Sequence, residues 1–232
     1  MYSQPRGGWI EVVCGPMFSG KSEELIRRLR RGIIARQRVQ IFKAGIDDRY
    51  SEEEIVSHSA LKLQAQPVEN TEQMQGLLDE RSEIVGIDEA QFFDIDVVTF
   101  AQRLANLGKR VIIAGLDLDY RGKPFDVVMH LMAVAEYVTK TLAVCARCGA
   151  PASRTQRLVP MNERIVVGST DVYEPRCRMC FDPDLSHMTQ LDMLKKSWRT
   201  DLVKGNKRGR GQTPGIQSAN QAESTSEGVK KG

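Results

Sequence analysis

The sequence predicts an α/β protein: a parallel sheet with helices on both faces, followed by a small cysteine-rich β module. Apolar runs alternate with segments of helical spacing as far as residue 144, which is typical of parallel strands joined by crossover helices. Beyond that point, short alternating runs, turns and two Cys-x-x-Cys pairs replace this pattern. We therefore expect an α/β domain at 1–144, a cysteine module at 145–190 and a C-terminal tail at 191–232.

The period of the apolar residues predicts the individual elements. Strands are expected at 9–14, 38–43, 83–87, 110–116 and 137–144, and helices at 20–36, 71–80, 93–107 and 126–136. The polar segment 44–60 carries a glycine and two adjacent aspartates, so we interpret it as a mobile loop. Right-handed crossovers would bring the loops 15–22, 44–60, 88–93 and 116–125 to one carboxyl edge of the sheet.

A glycine-rich loop joins the first strand to the first helix and matches the phosphate-loop (P-loop) template G-x-x-x-x-G-K-S. Its members are Gly15, Pro16, Met17, Phe18, Ser19, Gly20, Lys21 and Ser22. Such a loop turns successive backbone N–H groups toward one point, and the helix N-terminus adds partial positive charge. Lys21 would reach the β- and γ-phosphates and the Ser22 hydroxyl would bind Mg²⁺, so the loop predicts a nucleoside triphosphate such as ATP.

Two acids, Asp88 and Glu89, follow the buried strand at 83–87. An acid that faces a phosphate loop from this position is the usual Mg²⁺ anchor, and Asp88 is the better candidate. Glu89 is then free to accept a proton from an attacking hydroxyl. The alternative is that both are solvated acids of a turn.

Four cysteines form two matched pairs, Cys145 with Cys148 and Cys177 with Cys180. Zn²⁺ takes four thiolates in a tetrahedron, and such a closed site is structural because it has no open position for a substrate. The segments 153–159 and 164–168 can form a hairpin between the pairs, which leaves 168–176 as a loop held at its base by the metal. We expect the fifth cysteine, Cys14, in the core.

Aromatic residues cluster beside the predicted edge loops, where a planar base could stack. They are Phe92, Phe93, Tyr120, Phe125 and Tyr173. For Phe92 and Phe93 a place in the core is an equally good interpretation. The three histidines lack metal-ligand spacing, and we expect His130 to pack in the core.

Composition and charge narrow the function classes. No apolar run approaches the roughly 20 residues that span a bilayer, and the N-terminus lacks a signal-peptide core, so we expect a cytoplasmic protein without a membrane partner.

The net charge is +3, but the stretch from residue 192 holds nine Lys and Arg against four Asp and Glu. The body is therefore near neutral, which argues against general nucleic-acid binding. The tail has few large apolar residues, and we expect it to be mostly disordered.

The motifs GPMFSGKS, FKAGIDDRYS, GIDEAQFF, GLDLDYRGKPF and the cysteine pairs around GSTDVYEP resemble, in order, those of the zinc-containing (type II) thymidine kinases. The resemblance covers about residues 8–182 and implies transfer of the ATP γ-phosphate to the 5′-hydroxyl of thymidine, with deoxyuridine as a possible second substrate. It implies that Glu89 is the general base, that Asp88 and Ser22 hold Mg²⁺, and that Asp47 and Arg49 lie near the metal and phosphates. Ala90 and Gln91 complete the nucleotide-binding segment that the resemblance implies.

The resemblance also implies a base pocket and a loop, called the lasso, that closes over thymine. Pocket and lasso would comprise Met17, Phe92, Leu116, Tyr120, Phe125, Gly168, Ser169, Thr170, Asp171, Val172 and Tyr173. Members of the family can have phenylalanine where this chain has Tyr120. The family is typically tetrameric, with a dimer as the lesser possibility, and is inhibited by thymidine triphosphate.

Two other classes remain open from the sequence. D-E-A-Q after an apolar strand also resembles helicase motifs, and with the basic tail it would suit a nucleic-acid-dependent ATPase with a structural zinc module. A helicase motor normally needs two such lobes, and the chain is too short for a second. A GTPase-like switch would need the guanine signature N-K-x-D, and the Asn-Lys at 206–207 is followed by Arg208 and Gly209.

Overall fold

The computed structural model describes residues 7–45, 62–159 and 172–185, together with the backbone of a short strand at 54–56. Several predicted features lie outside these residues. They are Asp47, Arg49, Gly168, Ser169, Thr170, Asp171, the strand at 164–168 and the tail at 191–232.

The described chain alternates strands and helices and then continues in short strands only. Its strands are β1 (Trp9–Gly15), β2 (Val39–Ala44), β3 (Glu54–Val56), β4 (Lys62–Gln64), β5 (Gln66–Val68), β6 (Ile84–Asp88), β7 (Arg110–Leu116), β8 (Tyr137–Lys140), β9 (Ala143–Val144), β10 (Pro151–Ala152), β11 (Arg154–Arg157) and β12 (Tyr173–Arg176). Its helices are α1 (Lys21–Ile34), α2 (Thr71–Gly76), α3 (Asp96–Asn106) and α4 (Asp126–Val134), with a short 3-10 helix at Ala90–Phe92.

Six strands form one sheet in the order β5-β2-β6-β7-β1-β8, and all the pairs within it are parallel. The α/β prediction is confirmed. Because the strands are parallel, the carboxyl ends of the adjacent strands β6, β7, β1 and β8 meet at one edge of the sheet. The loops that follow these four strands build the site described below.

Helices cover both faces of the sheet and bury two apolar layers. Side chains alternate along β1, so Val12 and Cys14 join one layer while Val13 joins the other. Helix α1 packs on the layer that contains Val13, and helices α3 and α4 pack on the opposite layer. Cys14 is fully buried, as expected. Because both faces of β1 are packed, the point at which the phosphate loop leaves this strand is fixed.

Within the described residues, the observed elements differ from the sequence prediction at several places, among them β4 and β5, which the sequence analysis did not predict. The expected strand 137–144 is divided, because β8 joins the large sheet while β9 turns away to pair with β10. The segment 44–60 contains β3, which pairs with β4. β11 pairs with β12, whereas the segment 164–168, the predicted hairpin partner of 153–159, lies outside the described residues. His130 is exposed on α4 and contacts its own helix through the Asp126 carbonyl, so its predicted place in the core is wrong.

Within the described residues, no helix is both long enough and apolar enough to cross a membrane.

Candidate active site and cysteine cluster

The phosphate loop adopts a backbone that its glycines permit. Gly15 has a φ of 146°, and a Cβ there would lie 2.3 Å from the Thr141 carbonyl oxygen. Gly20 has a φ of 80° and stands directly before α1, where the Glu24 N–H donates to its carbonyl at 3.0 Å. Phe18 also has a positive φ, of 64°. Such a succession of turns is typical of loops whose N–H groups bind phosphate.

The loop is held from the neighbouring strand end and from within. The Thr141 hydroxyl, just after β8, donates to the Cys14 carbonyl at 3.0 Å and lies 2.8 Å from the Ser19 hydroxyl. The Lys21 ammonium donates to the Pro16 carbonyl at 2.8 Å, across the loop. Burial lowers the pKa of Lys21, against the opposing negative charges of Glu89, Asp88 and Asp117. The Lys21 ammonium and these carboxylates therefore share one electrostatic environment.

The cysteine module also contacts the phosphate loop. The Met17 N–H donates to the Thr155 hydroxyl at 3.0 Å, and Thr155 is buried on β11. Met17 itself is only partly buried. A hydrogen bond from the loop backbone to a side chain of the module thus connects the module to the loop that the sequence assigns to nucleotide phosphates.

Asp88 is buried at the end of β6, and its carboxylate accepts hydrogen bonds from the Glu89 N–H, at 3.0 Å, and from the Ser22 hydroxyl. Burial raises the pKa of Asp88 to about 7, and the charge of Glu89 acts in the same direction. The Glu89 N–H, Lys21 and Ser22 oppose this shift. The structure therefore brings Ser22 and Asp88, the two predicted Mg²⁺ ligands, into direct contact.

The raised pKa of Asp88 predicts a pH-dependent stability in the absence of Mg²⁺. Its folded-state pKa of about 7 lies above the ordinary value of 3.8, so the buried group favours folding when protonated. Its contribution is fully present below about pH 4 and is lost as the pH rises through about 7, a change of a few kcal/mol. Thermal unfolding of the zinc-loaded wild type and of zinc-loaded Asp88→Asn, without added Mg²⁺, measures it. The variant should lack this fall, and equal slopes in the two proteins would contradict the assignment.

Glu89 occupies an unusual backbone position at the same edge. Its φ of 54° and ψ of 43° are left-handed, a conformation that costs a glutamate roughly 1–3 kcal/mol. Its partly exposed side chain accepts a hydrogen bond from the Gln91 amide at 2.5 Å, and the Gln91 carbonyl oxygen accepts the Leu116 N–H at 2.9 Å. Gln91 thereby joins the end of β6 to the end of β7 and orients the Glu89 carboxylate.

A further ion pair crosses the start of the phosphate loop. The Lys140 ammonium lies 2.6 Å from a carboxylate oxygen of Asp117, in a charge contact without hydrogen-bond alignment. Asp117 follows β7 and is buried, Lys140 ends β8, and β1 lies between these strands. The pair therefore joins the two strands that flank the phosphate loop.

The predicted base-pocket residues lie at different depths. Tyr120, Phe125 and Tyr173 are buried, Phe92 and Leu116 are partly buried, and Phe93 belongs to the core. The turn that carries Tyr120 is closed by the Asp119 carboxylate, which accepts the N–H groups of Arg121 and Lys123, each at 2.9 Å. The Val172 carbonyl oxygen accepts a hydrogen bond from the Leu158 N–H at 2.8 Å.

The four predicted zinc ligands come together in the cysteine module. All their sulfur atoms lie within 4.8 Å of one another, and Cys148 Sγ is 3.6 Å from Cys177 Sγ. A tetrahedral Zn²⁺ site with Zn–S bonds of about 2.3 Å requires sulfurs about 3.8 Å apart, so the cluster fits the ion. Each pair ends in a tight turn, closed by Gly149 N–H to the Cys145 carbonyl and by Cys180 N–H to the Cys177 carbonyl.

The thiols of this cluster have unequal acidity. Burial raises the pKa of Cys145, but the N–H groups of Cys177, Arg147 and Cys148 outweigh it and lower that pKa to about 6. Hydrogen bonds with the Cys148 and Cys177 thiols raise the pKa of Cys180 to about 12. Cysteines bind a metal as thiolates, so a metal at this cluster would displace the thiol protons.

Sequence reasoning missed several residues that shape this site. Asp117 follows an apolar strand in the same way as Asp88, so the strand-end signal was present. Lys140 ends β8 and Thr141 follows it, so both carried a weaker form of that signal. Thr155 and Arg157 lie among short polar runs, and no spacing or motif distinguishes them.

The fold and the site together define a P-loop nucleotide-binding protein. The Asp88 and Glu89 carboxylates, at the end of β6, act electrostatically on Lys21 of the phosphate loop. The family model for thymidine kinase matches residues 8–181. The thymidine kinase of Rhodothermus sp. (strain ITI 518) is 59% identical over 176 residues, which cover 76% of this chain and 82% of the relative. The chain belongs to the thymidine kinase family, as its motifs predicted.

Membership makes the chain an ATP-dependent nucleoside kinase and therefore a transferase. The alternative of a nucleic-acid-dependent ATPase is not favoured. Among solved structures, the flagellar accessory protein FlaH from Methanocaldococcus jannaschii is similar with a TM-score of 0.44 and 13% identity. That match covers 74% of this chain and 88% of FlaH.

Proposed function

We propose that the site transfers the γ-phosphate of ATP to the 5′-hydroxyl of thymidine, with Glu89 as general base. The observation that carries this assignment is the carboxylate pair at the end of β6. Asp88 is buried against Ser22, whereas Glu89 is partly exposed and lies within electrostatic reach of Lys21. Two adjacent acids in unequal environments suit two different roles, metal anchor and base.

The donor side consists of the phosphate loop and the Asp88 carboxylate. The loop N–H groups and Lys21 bind the β- and γ-phosphates. The Ser22 hydroxyl and the Asp88 carboxylate, which contact each other, are the hard oxygen ligands that suit Mg²⁺. When bound, that ion neutralises charge on the phosphate oxygens. Asp47 and Arg49, which the family motifs associate with this region, would complete it.

On the acceptor side, Glu89 takes the 5′-hydroxyl proton as the oxygen attacks the γ-phosphorus, and the bond to the bridging oxygen of ADP breaks. The atoms balance, because thymidine gains the phosphoryl group and its proton passes to the carboxylate. Positioning supplies most of the catalysis in this type of reaction. Gln91 supports it by holding the Glu89 carboxylate from a neighbouring strand end.

Thymine would bind beside the cysteine module. Tyr120 and Tyr173 are both buried, and both contact Arg157. Met17 and Leu116 lie on the adjacent loops. The lasso at 168–175 would close over the base, and a structural Zn²⁺ on the four cysteines would hold the base of that lasso. The cluster has no role in the chemistry, because four thiolates leave no open coordination position.

The resemblance supports further features of this enzyme. We propose a homotetramer or dimer, inhibition by thymidine triphosphate, a cytoplasmic location and no nucleic-acid partner.

A phosphorylation assay tests the assignment. ATP consumption is measured with each of the four deoxynucleosides, with deoxyuridine, with single-stranded DNA and without acceptor. We expect turnover with thymidine and weaker turnover with deoxyuridine, since one methyl in an apolar pocket contributes about 1–3 kcal/mol. Stimulation by DNA but not by thymidine would refute the proposed function.

A further inference from the structure

Arg157 is the largest fully buried side chain in the described part of the protein, and neither the sequence motifs nor the proposed mechanism gives it a role. It ends β11, inside the cysteine module. A buried guanidinium is costly unless its surroundings compensate the charge, so its contacts define what it does there.

Its contacts join two aromatic side chains from different parts of the fold. The guanidinium carbon lies 3.6 Å from the centroid of the Tyr120 ring, a close stacking contact. One terminal nitrogen donates to the Tyr173 hydroxyl at 2.8 Å. Tyr120 lies on the loop after β7 of the large sheet, whereas Tyr173 begins β12 directly opposite Arg157.

The shape of the guanidinium makes this a rigid connection. It is planar, so one face stacks on the Tyr120 ring while an N–H in the plane bonds to Tyr173. A lysine ammonium is a point charge and cannot do both with fixed geometry. The guanidinium therefore couples the two tyrosine side chains to each other, and β11 and β12 couple them to the cysteine module.

We propose that Arg157 is a positioning and specificity-determining residue for the nucleoside base. This inference rests on the proposed function, in which Tyr120 and Tyr173 line the base pocket. Discrimination between thymidine and deoxyuridine depends on one methyl group, and a wall that contacts one methyl must be fixed in place. Arg157 fixes two members of that wall, so its loss affects base recognition and leaves the donor side intact.

Arg176 supplies a matched control for a merely structural role. It is also buried in the cysteine module, on β12, but it bonds to Glu174 and to the Cys180 carbonyl rather than to either tyrosine. Loss of either arginine removes a buried guanidinium from the same two-stranded ribbon. Only the loss of Arg157 releases Tyr120 and Tyr173.

The test compares Arg157→Lys and Arg157→Met with Arg176→Met in the full chain. Zinc content, thermal stability, KM for ATP, KM for thymidine, kcat and the ratio of kcat/KM for thymidine over deoxyuridine are measured. For the Arg157 variants we expect KM for thymidine to rise about tenfold or more, the ratio to fall, and KM for ATP to stay within about twofold. Lysine should not rescue. Arg176→Met should keep the ratio of the wild type even where its stability falls.

Two results would overturn the inference: Arg157→Lys with the thymidine KM and substrate ratio of the wild type, or Arg176→Met with the same loss of discrimination as Arg157→Met. If Arg157→Met fails to fold, Tyr173→Phe combined with Arg157→Lys gives the answer, because the two changes should be non-additive in the thymidine KM. Additive effects would count against the connection. Failure of the wild type to phosphorylate thymidine would instead refute the proposed function, so the two failures are distinguishable.

Discussion

The Glu89→Gln variant is expected to lose about 10²–10⁴-fold in kcat while its KM for thymidine changes little. Glutamine keeps the size of the side chain and an oxygen that can accept the Gln91 hydrogen bond, but it cannot take the 5′-hydroxyl proton at neutral pH. An interaction used only in the transition state lowers kcat without weakening substrate binding. Steady-state kinetics over a range of thymidine concentrations, with saturating ATP, measures both parameters.

Glu83→Gln provides the control for this experiment. Glu83 lies just before β6, at the opposite end of the same strand, where its side chain is 46% exposed and accepts the Arg38 N–H. The same chemical change there should leave kcat within about twofold, because an exposed surface substitution rarely matters. A Glu89→Gln enzyme with the turnover of the wild type would remove Glu89 as the base.

The Cys177→Ser variant is expected to lose bound zinc, roughly 10 °C in melting temperature and most of its affinity for thymidine. A structural zinc site contributes folding free energy directly, and removing one thiolate destroys the tetrahedral set. Cys177 immediately follows β12, which carries Tyr173 and pairs with β11, so loosening the cluster loosens Thr155 and Arg157 as well. Metal analysis, thermal unfolding and thymidine titration of the purified protein measure the three effects.

Cys14→Ala distinguishes loss of a zinc ligand from loss of a buried thiol. Cys14 is fully buried but lies at the end of β1, outside the cluster, so this variant should keep the zinc content of the wild type even if it is less stable. Brief chelation of the wild type should reproduce the Cys177→Ser phenotype. A zinc-free protein with unchanged thymidine affinity would contradict the coupling between cluster and base pocket.

Much of the candidate site could be predicted because its candidate residues lie at the ends of strands. Gly15 to Ser22 follow β1 and Asp88 and Glu89 follow β6, and in a parallel sheet these ends converge. The four-cysteine cluster could be predicted equally well, since the geometry of a metal site requires the Cys-x-x-Cys spacing. Asp47 and Arg49 were different, because only the family motifs drew attention to them.

The sequence alone predicted the class of fold, a phosphate loop and a set of four cysteines, because each depends on a local pattern with a fixed period or spacing. Only the tertiary structure decided how the cysteine module meets the sheet. The contacts of Thr155 with Met17, of Arg157 with Tyr120, and of Lys140 with Asp117 each join residues more than twenty positions apart. Such contacts arise when packing brings unrelated segments together, and no local pattern records them.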